Sequence, residues 1–213
     1  MDASSSGGSA TSESSGEATT TSAEAECGDG VVEGDEMCDD ANEMGSDGCD
    51  HCVRESLVFV SSEWFQGKDF GGLFGADQHC RSMAAKAGLR RFETFKAWLS
   101  TSTESAASRL NQSPGRYVLV NGLVVAEGWS GLTSGSLQHA IDVTEYSETY
   151  QGPVYTGTLV DGTTAAGSTQ CLDWTAIGLE EAARGSSAYK DGYWTFINNT
   201  HCGSSAPIYC IEQ

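Results

Sequence analysis

Four cysteines fall within residues 27–52, CGDGVVEGDEMCDDANEMGSDGCDHC, among five glycines and a dense set of acids. Thiols this close can form disulfides or hold a soft metal, whereas carboxylate and amide oxygens suit calcium. Asp29, Glu36, Asp39, Asp40, Asn42 and Asp47 are the candidate calcium ligands, with Asp35 in the same run. Their spacing is not that of an EF-hand loop, and the same acids would serve as a solvated surface with Asx turns. Cys49, His51 and Cys52 have the residue types of a zinc site, but disulfides compete for those sulfurs. A stretch with so little apolar content needs staples, so Cys27, Cys38, Cys49 and Cys52 are expected to form two bridges. Four cysteines permit three connectivities, and the spacing selects none.

Catalytic patterns are missing elsewhere. The histidines, His51, His79, His139 and His201, form no HExxH arrangement, and the chain has no GxSxG elbow. His79 and His201 adjoin Cys80 and Cys202 but read as surface or loop residues. Asp173, Glu180 and Glu181 could be imagined as carboxylates for glycoside chemistry, yet nothing fixes their separation. The glycines at 67, 71, 72 and 75 lack both the GxGxxG spacing and a P-loop Lys, so they form no phosphate cradle. The expectation is a protein that is not an enzyme. Trp129, Tyr155, Trp174, Tyr189 and Trp194 are the candidate ligand-binding residues, together with Tyr193, because aromatic faces stack on sugars and peptides. The competing reading puts them in the core.

Charge bounds the partners. The net charge is −19, made of −5 over residues 1–26, −9 over 27–56 and −5 over 57–213. Without clustered Lys and Arg the chain suits neither nucleic acid nor a heparin-like polyanion. Eight cysteines point to an oxidising compartment, secreted or at the cell surface. No apolar run reaches the length of a membrane span. Residues 1–26 are Ser, Thr, Gly, Ala and Glu, too polar to offset their ordering entropy, and are expected to be a disordered tether. Met1 is followed at once by Asp2, with no signal peptide. A secreted cysteine pattern without one suggests a mature form whose tail follows the lipidated cysteine of a bacterial lipoprotein.

These residues need a frame, and residues 57–213 can supply it. Ala76, Cys80, Met83, Ala84 and Ala87 make the stripe of a helix with one buried face. Asp77 is expected in its first turn, opposing the dipole, and Gly88 at its C-terminal cap. Residues 95–100 alternate as a strand, and 101–104 have the capping-box spacing of a short helix reaching about residue 110. Residues 57–60 and 153–160 read as strands, 116–127 as a hairpin around Asn121-Gly122, and 208–211 as the closing strand. Short strands, early helices and long Gly/Ser loops describe an α+β domain.

The segments GGLFGADQHCRSMAAKAGL, FKAWLS, QCLDWTA and HCGSSAPIYCIEQ, in this order, resemble the endostatin-like variant of the C-type-lectin-like fold found in bacterial surface proteins and lipoproteins. The resemblance covers residues 57–213. It implies the pairs Cys80–Cys210 and Cys171–Cys202. Residues 27–52 resemble the cysteine-rich repeat of myxobacterial and related surface proteins, with Ala41 standing where that pattern has Gly. Endostatin is basic and binds heparin; this chain is acidic, so that property does not carry over. The Glu-Pro-Asn or Gln-Pro-Asp and Trp-Asn-Asp triplets of calcium-dependent sugar binding are also missing. The expected organisation is a tether (1–26), an acidic cysteine-rich module (27–56) and a C-type-lectin-like domain (57–213). The expected function is a cell-surface binding or adhesion module for an extracellular protein or glycan. The alternatives are a structural envelope protein contacting copies of itself and, last, a hydrolase.

Overall fold

The computed structural model describes Met1 and residues 25–45, 47–167 and 170–213. Apart from Met1, Ala25 and Glu26, the expected tether lies outside the described residues. Residues 57–60 are apolar at four successive positions, which in a strand requires cover on both faces. They end strand β2 (Val53–Val60), whose Leu57 and Phe59 enter one core while Val58 and Val60 enter another. β2 pairs in parallel with β4 (Arg116–Leu119) and antiparallel with β9 (Tyr209–Ile211). β5 (Val124–Glu127) flanks β4, and β3 (Lys96–Ala97) flanks β9. The sixth strand, β1 (Cys49–Asp50), pairs with the start of β2 and carries the cysteine-rich module into the sheet. β2 therefore runs across the 56/57 boundary. A second sheet joins β6 (Pro153–Tyr155), β7 (Glu181–Ser186) and β8 (Asn198–His201), all antiparallel.

Helix α1 (Leu73–Lys86) lays Ala76, Cys80, Met83 and Ala84 on one face of the larger sheet. It starts early enough that Asp77 lies beyond the first turn and points inward, which corrects the dipole expectation. Both Asp77 oxygens accept from Arg109 Nη2 at 2.6 Å, and Oδ1 also accepts the Ala97 N–H at 2.9 Å. Ala87 is the cap residue and Gly88 follows it with φ +71°. The N–H groups of Gly88 and Leu89 donate to the carbonyls of Ala85 and Ala84, the Schellman pattern, which needs a left-handed residue at this point. Strand β3 is shorter than expected because the Leu99 N–H folds back onto the Ala97 carbonyl. Helix α2 (Ala106–Arg109) is capped by Ser105 with Ser108, not by Thr101. Thr101 instead closes a turn with Glu104. Helix α3 (Gly128–Leu132) follows the β4–β5 hairpin.

The opposite face of the larger sheet carries a second core, in which the Trp194 ring contacts those of both Trp98 and Tyr209. Four disulfides are present: Cys27–Cys52, Cys38–Cys49, Cys80–Cys210 and Cys171–Cys202. Cys80–Cys210 ties α1 to β9 across a separation of 130 residues, and Cys171–Cys202 spans 31. On a loop-entropy account these are worth about 5 and about 4 kcal/mol.

Candidate functional site

The candidate aromatics separate into two groups. Tyr155, Trp174 and Trp194 have no exposure, which corrects their assignment as ligand-binding residues. Each is held by packing or hydrogen bonding that a surface residue would lack. The Trp174 indole N–H donates to the Ser100 carbonyl at 2.8 Å. The Tyr155 hydroxyl lies 2.9 and 2.7 Å from the carbonyls of His201 and Ser204, and burial pushes its pKa up to about 12. Trp129 is half-buried against Trp98. Tyr189 and Tyr193 stand out, 46% and 55% exposed, with their rings edge-to-face at 5.8 Å.

Tyr193 lines a cleft of about 480 Å³. One wall is Leu159, Val160 and Asp161, at a tight turn closed by the Leu159 N–H and the Thr163 carbonyl at 2.8 Å. The other is Asp191, Tyr193 and Phe196, around a 3-10 turn (Gly192–Trp194) that Asp191 caps by accepting the Tyr193 N–H at 3.0 Å. Beneath them, buried hydroxyls join the walls. Thr195 Oγ1 donates to the Thr158 carbonyl at 2.9 Å, and Thr156 Oγ1 donates to the Thr195 carbonyl at 2.6 Å. The Trp98 indole N–H donates to Thr195 Oγ1 at 2.8 Å. The cleft is thus pre-formed. Its Asp161 accepts from the Thr163 hydroxyl and N–H at 2.6 and 2.9 Å, which holds its carboxyl below the usual carboxylate range. Sequence reasoning missed Leu159, Val160, Asp161, Asp191 and Phe196. The one available signal was the pair of turn signatures, Asp161-Gly162 and Asp191-Gly192.

Between the two sheets runs a strained segment. Gln170, Cys171, Leu172, Asp173 and Trp174 all adopt positive φ, from 47° to 66°. A left-handed turn of non-glycine residues costs about 1–2 kcal/mol per residue, so it persists only where its surroundings impose it. Here the Gln170 amide bonds the Ala165 carbonyl and the Ala183 N–H, and Cys171 is bridged to Cys202. Both oxygens of Asp173 accept from Ser102, from its N–H at 2.7 Å and its hydroxyl at 2.9 Å. Asp173 is therefore a loop clamp. Glu181 faces His201 at 4.0 Å on the surface.

In the cysteine-rich module the six candidate calcium ligands divide. Asp39 accepts the N–H groups of Gly28, Asp29, Gly30 and Ala41 at 2.8–3.2 Å, and these bonds, Ala41's foremost, lower its pKa. Glu36 accepts the Glu33 N–H and Asp29 the Val31 N–H, so both turn an oxygen inward to the backbone. Glu36, Asp39 and Cys52 also bring one donor atom each within 4.8 Å of one another. That sulfur is bonded to Cys27, which removes it as a thiolate, and the pairing of Cys49 with Cys38 leaves no zinc site of Cys49, His51 and Cys52. Asp40 and Asp47 form the exposed remainder, while Asn42 is half-buried and its Oδ1 accepts the Met44 N–H at 2.7 Å. The Asn42 amide lies 3.3 Å from Asp47, while desolvation and the Asp47 carboxylate raise the pKa of Asp40.

Residues 18–53 match the family described as Domain of unknown function (DUF4215), which overlaps this module. With the two bridges inside it, the match identifies a cysteine-rich module. No curated protein matches the chain. Disulfides persist where thiols are not kept reduced, so the four bridges fit an extracellular or otherwise oxidising environment. No helix among the described residues is long and apolar enough to cross a membrane.

Proposed function

We propose that this chain is an exported, surface-held binding module whose residues 57–213 form a C-type-lectin-like domain that recognises an extracellular protein or glycan and catalyses nothing. One observation carries the reading. β2 and β9 lie side by side in the larger sheet and Cys80–Cys210 fastens the latter to α1, while the chain between β5 and β9 leaves that sheet as loops that carry α3 and the three-stranded sheet of β6, β7 and β8. A frame closed by its own two ends, with loops presented from it, is the arrangement in which recognition is carried by the loops. The organisation into tether, acidic module and binding domain belongs to the same proposal, as does a lipid anchor ahead of the tether. Calcium enters it at Asp40 and Asp47, because Asp39 already serves four backbone donors and Asn42 Oδ1 the Met44 N–H.

The test is a glycan array and a cell-surface pulldown with the full chain, each run with calcium and with EDTA. Binding in both conditions is expected. No capture in either, in a folded sample, overturns the reading. Leu172, Ile177 and Leu179 favour the second reading, a structural protein contacting its own copies, because they are apolar and exposed, Leu179 by 86%. Concentration-dependent sedimentation would move the assignment there.

A further inference from the structure

We infer that the cleft between residues 159–161 and 191–196 is a binding site for a cationic side chain, the ammonium or guanidinium group of a lysine or arginine on an extracellular polypeptide. The inference rests on the binding-module reading and supplies its ligand chemistry. Three features select a cation. The rim carries two carboxylates, Asp161 and Asp191, and no basic residue lines the cleft. In each, Oδ1 is fixed by its own turn, Asp161 by Thr163 and Asp191 by the Tyr193 N–H. Oδ2 of each has no hydrogen-bond partner among the described residues. The exposed ring of Tyr193 and the half-buried ring of Phe196 line the same cleft, and aromatic rings attract a cation, while Leu159 and Val160 suit the methylene stem that carries it.

The rest of the molecule agrees with this charge preference. A net charge of −19 draws a basic partner toward the surface before any contact forms. The walls need no rearrangement to accept it, because the Thr156, Thr158 and Thr195 bonds already join them. Gly135 lies beneath this junction, its missing Cβ 3.4 Å from Val160 and 3.9 Å from the Gly192 nitrogen. A neutral sugar would stack on Tyr193 and donate hydroxyls to the carboxylates, but only a cation adds the Coulombic attraction of unlike charges. A polyanion would be repelled.

The probe is fluorescein-labelled hexalysine, titrated into the full chain at physiological salt, with maltohexaose as competitor. Saturable binding is expected, unaffected by the competitor. Tyr193→Ala changes no charge, and it should weaken binding roughly threefold to thirtyfold, the range of a cation–π contact. Asp161→Asn should weaken it about two- to fivefold, as a surface ion pair would. Glu93→Gln makes the same charge change on an exposed turn that does not line the cleft, and should leave binding unchanged. Circular dichroism melts establish that each variant is folded. Three outcomes overturn the inference: no hexalysine binding by folded protein, binding that Tyr193→Ala leaves intact, or equal weakening by Glu93→Gln and Asp161→Asn. Displacement by maltohexaose also overturns it, in favour of a neutral glycan. Capture on the array or in the pulldown without hexalysine binding would remove this inference while leaving the binding-module reading in place.

Discussion

Asp39 accepts four backbone N–H groups in a module with almost no apolar interior, so its charge is part of what holds the turns together. Its pKa is lowered in the folded state, so its contribution is complete above the unfolded value of about 3.9 and fades as the pH falls through the folded one. Melting temperature should therefore drop on acidification below about pH 4, and Asp39→Asn should melt lower at neutral pH with a flatter profile. Superimposable wild-type and variant profiles would refute this role. Ala41, whose N–H is one of the four, sits at φ +64° where a Cβ is strained. Ala41→Gly should stabilise the module by about 1 kcal/mol, read from urea unfolding. Asp77 and Arg109 form a nearly buried ion pair that also fixes the Ala97 N–H and the Ala97 carbonyl. Removing one partner, as in Asp77→Ala, leaves the other uncompensated and should cost about 3–5 kcal/mol by the same measurement.

Among the elements, β7 carries a close approach that ties the smaller sheet to the cleft. A Cβ on Gly185 would collide with the Trp194 carbonyl and lie 2.6 Å from the Thr195 Cα, both backbone atoms that cannot rotate away. Gly185→Ala should therefore destabilise by about 1–3 kcal/mol and loosen the wall bearing Asp191 and Tyr193; an unchanged melting temperature would show that β7 and this turn are free to separate. The elements were unevenly legible in the sequence. The apolar run 57–60 announced a strand, the 3.6-residue stripe from Ala76 to Ala84 announced α1, and the turn signature Asn121-Gly122 announced the hairpin, because each is a local pattern set by its own residues. The capping-box spacing at 101–104 misplaced the helix start, because Thr101 bonds Glu104 in a turn and Ser105 is the residue that caps α2. The Gln170–Trp174 turn was illegible, since none of its side chains prefers the left-handed region and the turn is imposed by Ala165, Ala183, Ser102 and Cys202. Buried and exposed aromatics were likewise inseparable: Tyr193 and Trp194 are neighbours, and in an aperiodic loop no spacing says which turns inward.

Across the whole molecule, a charge of −19 on 213 residues means that the folded surface repels itself. Salt should raise the melting temperature steadily up to about 0.15 M, where the screening length falls to about 8 Å, and scanning fluorimetry would detect it. A flat response would show that acids are already offset locally, as Glu212 is by Arg90 and Arg91.

The Cys80–Cys210 bridge has a mechanical consequence. A load applied between Cys52 and Gln213 enters at β2 and leaves at β9, and the chain from 80 to 210 is short-circuited by one covalent link. Only residues 53–79 and 211–213, thirty in all, can be drawn out while the bridge stands. At about 3.5 Å per extended residue the whole domain can lengthen by no more than roughly 100 Å before a covalent bond bears the force. The loops and the cleft between 159–161 and 191–196 lie inside the protected interval, so a partner gripped there keeps its site under tension that strips the terminal strands away.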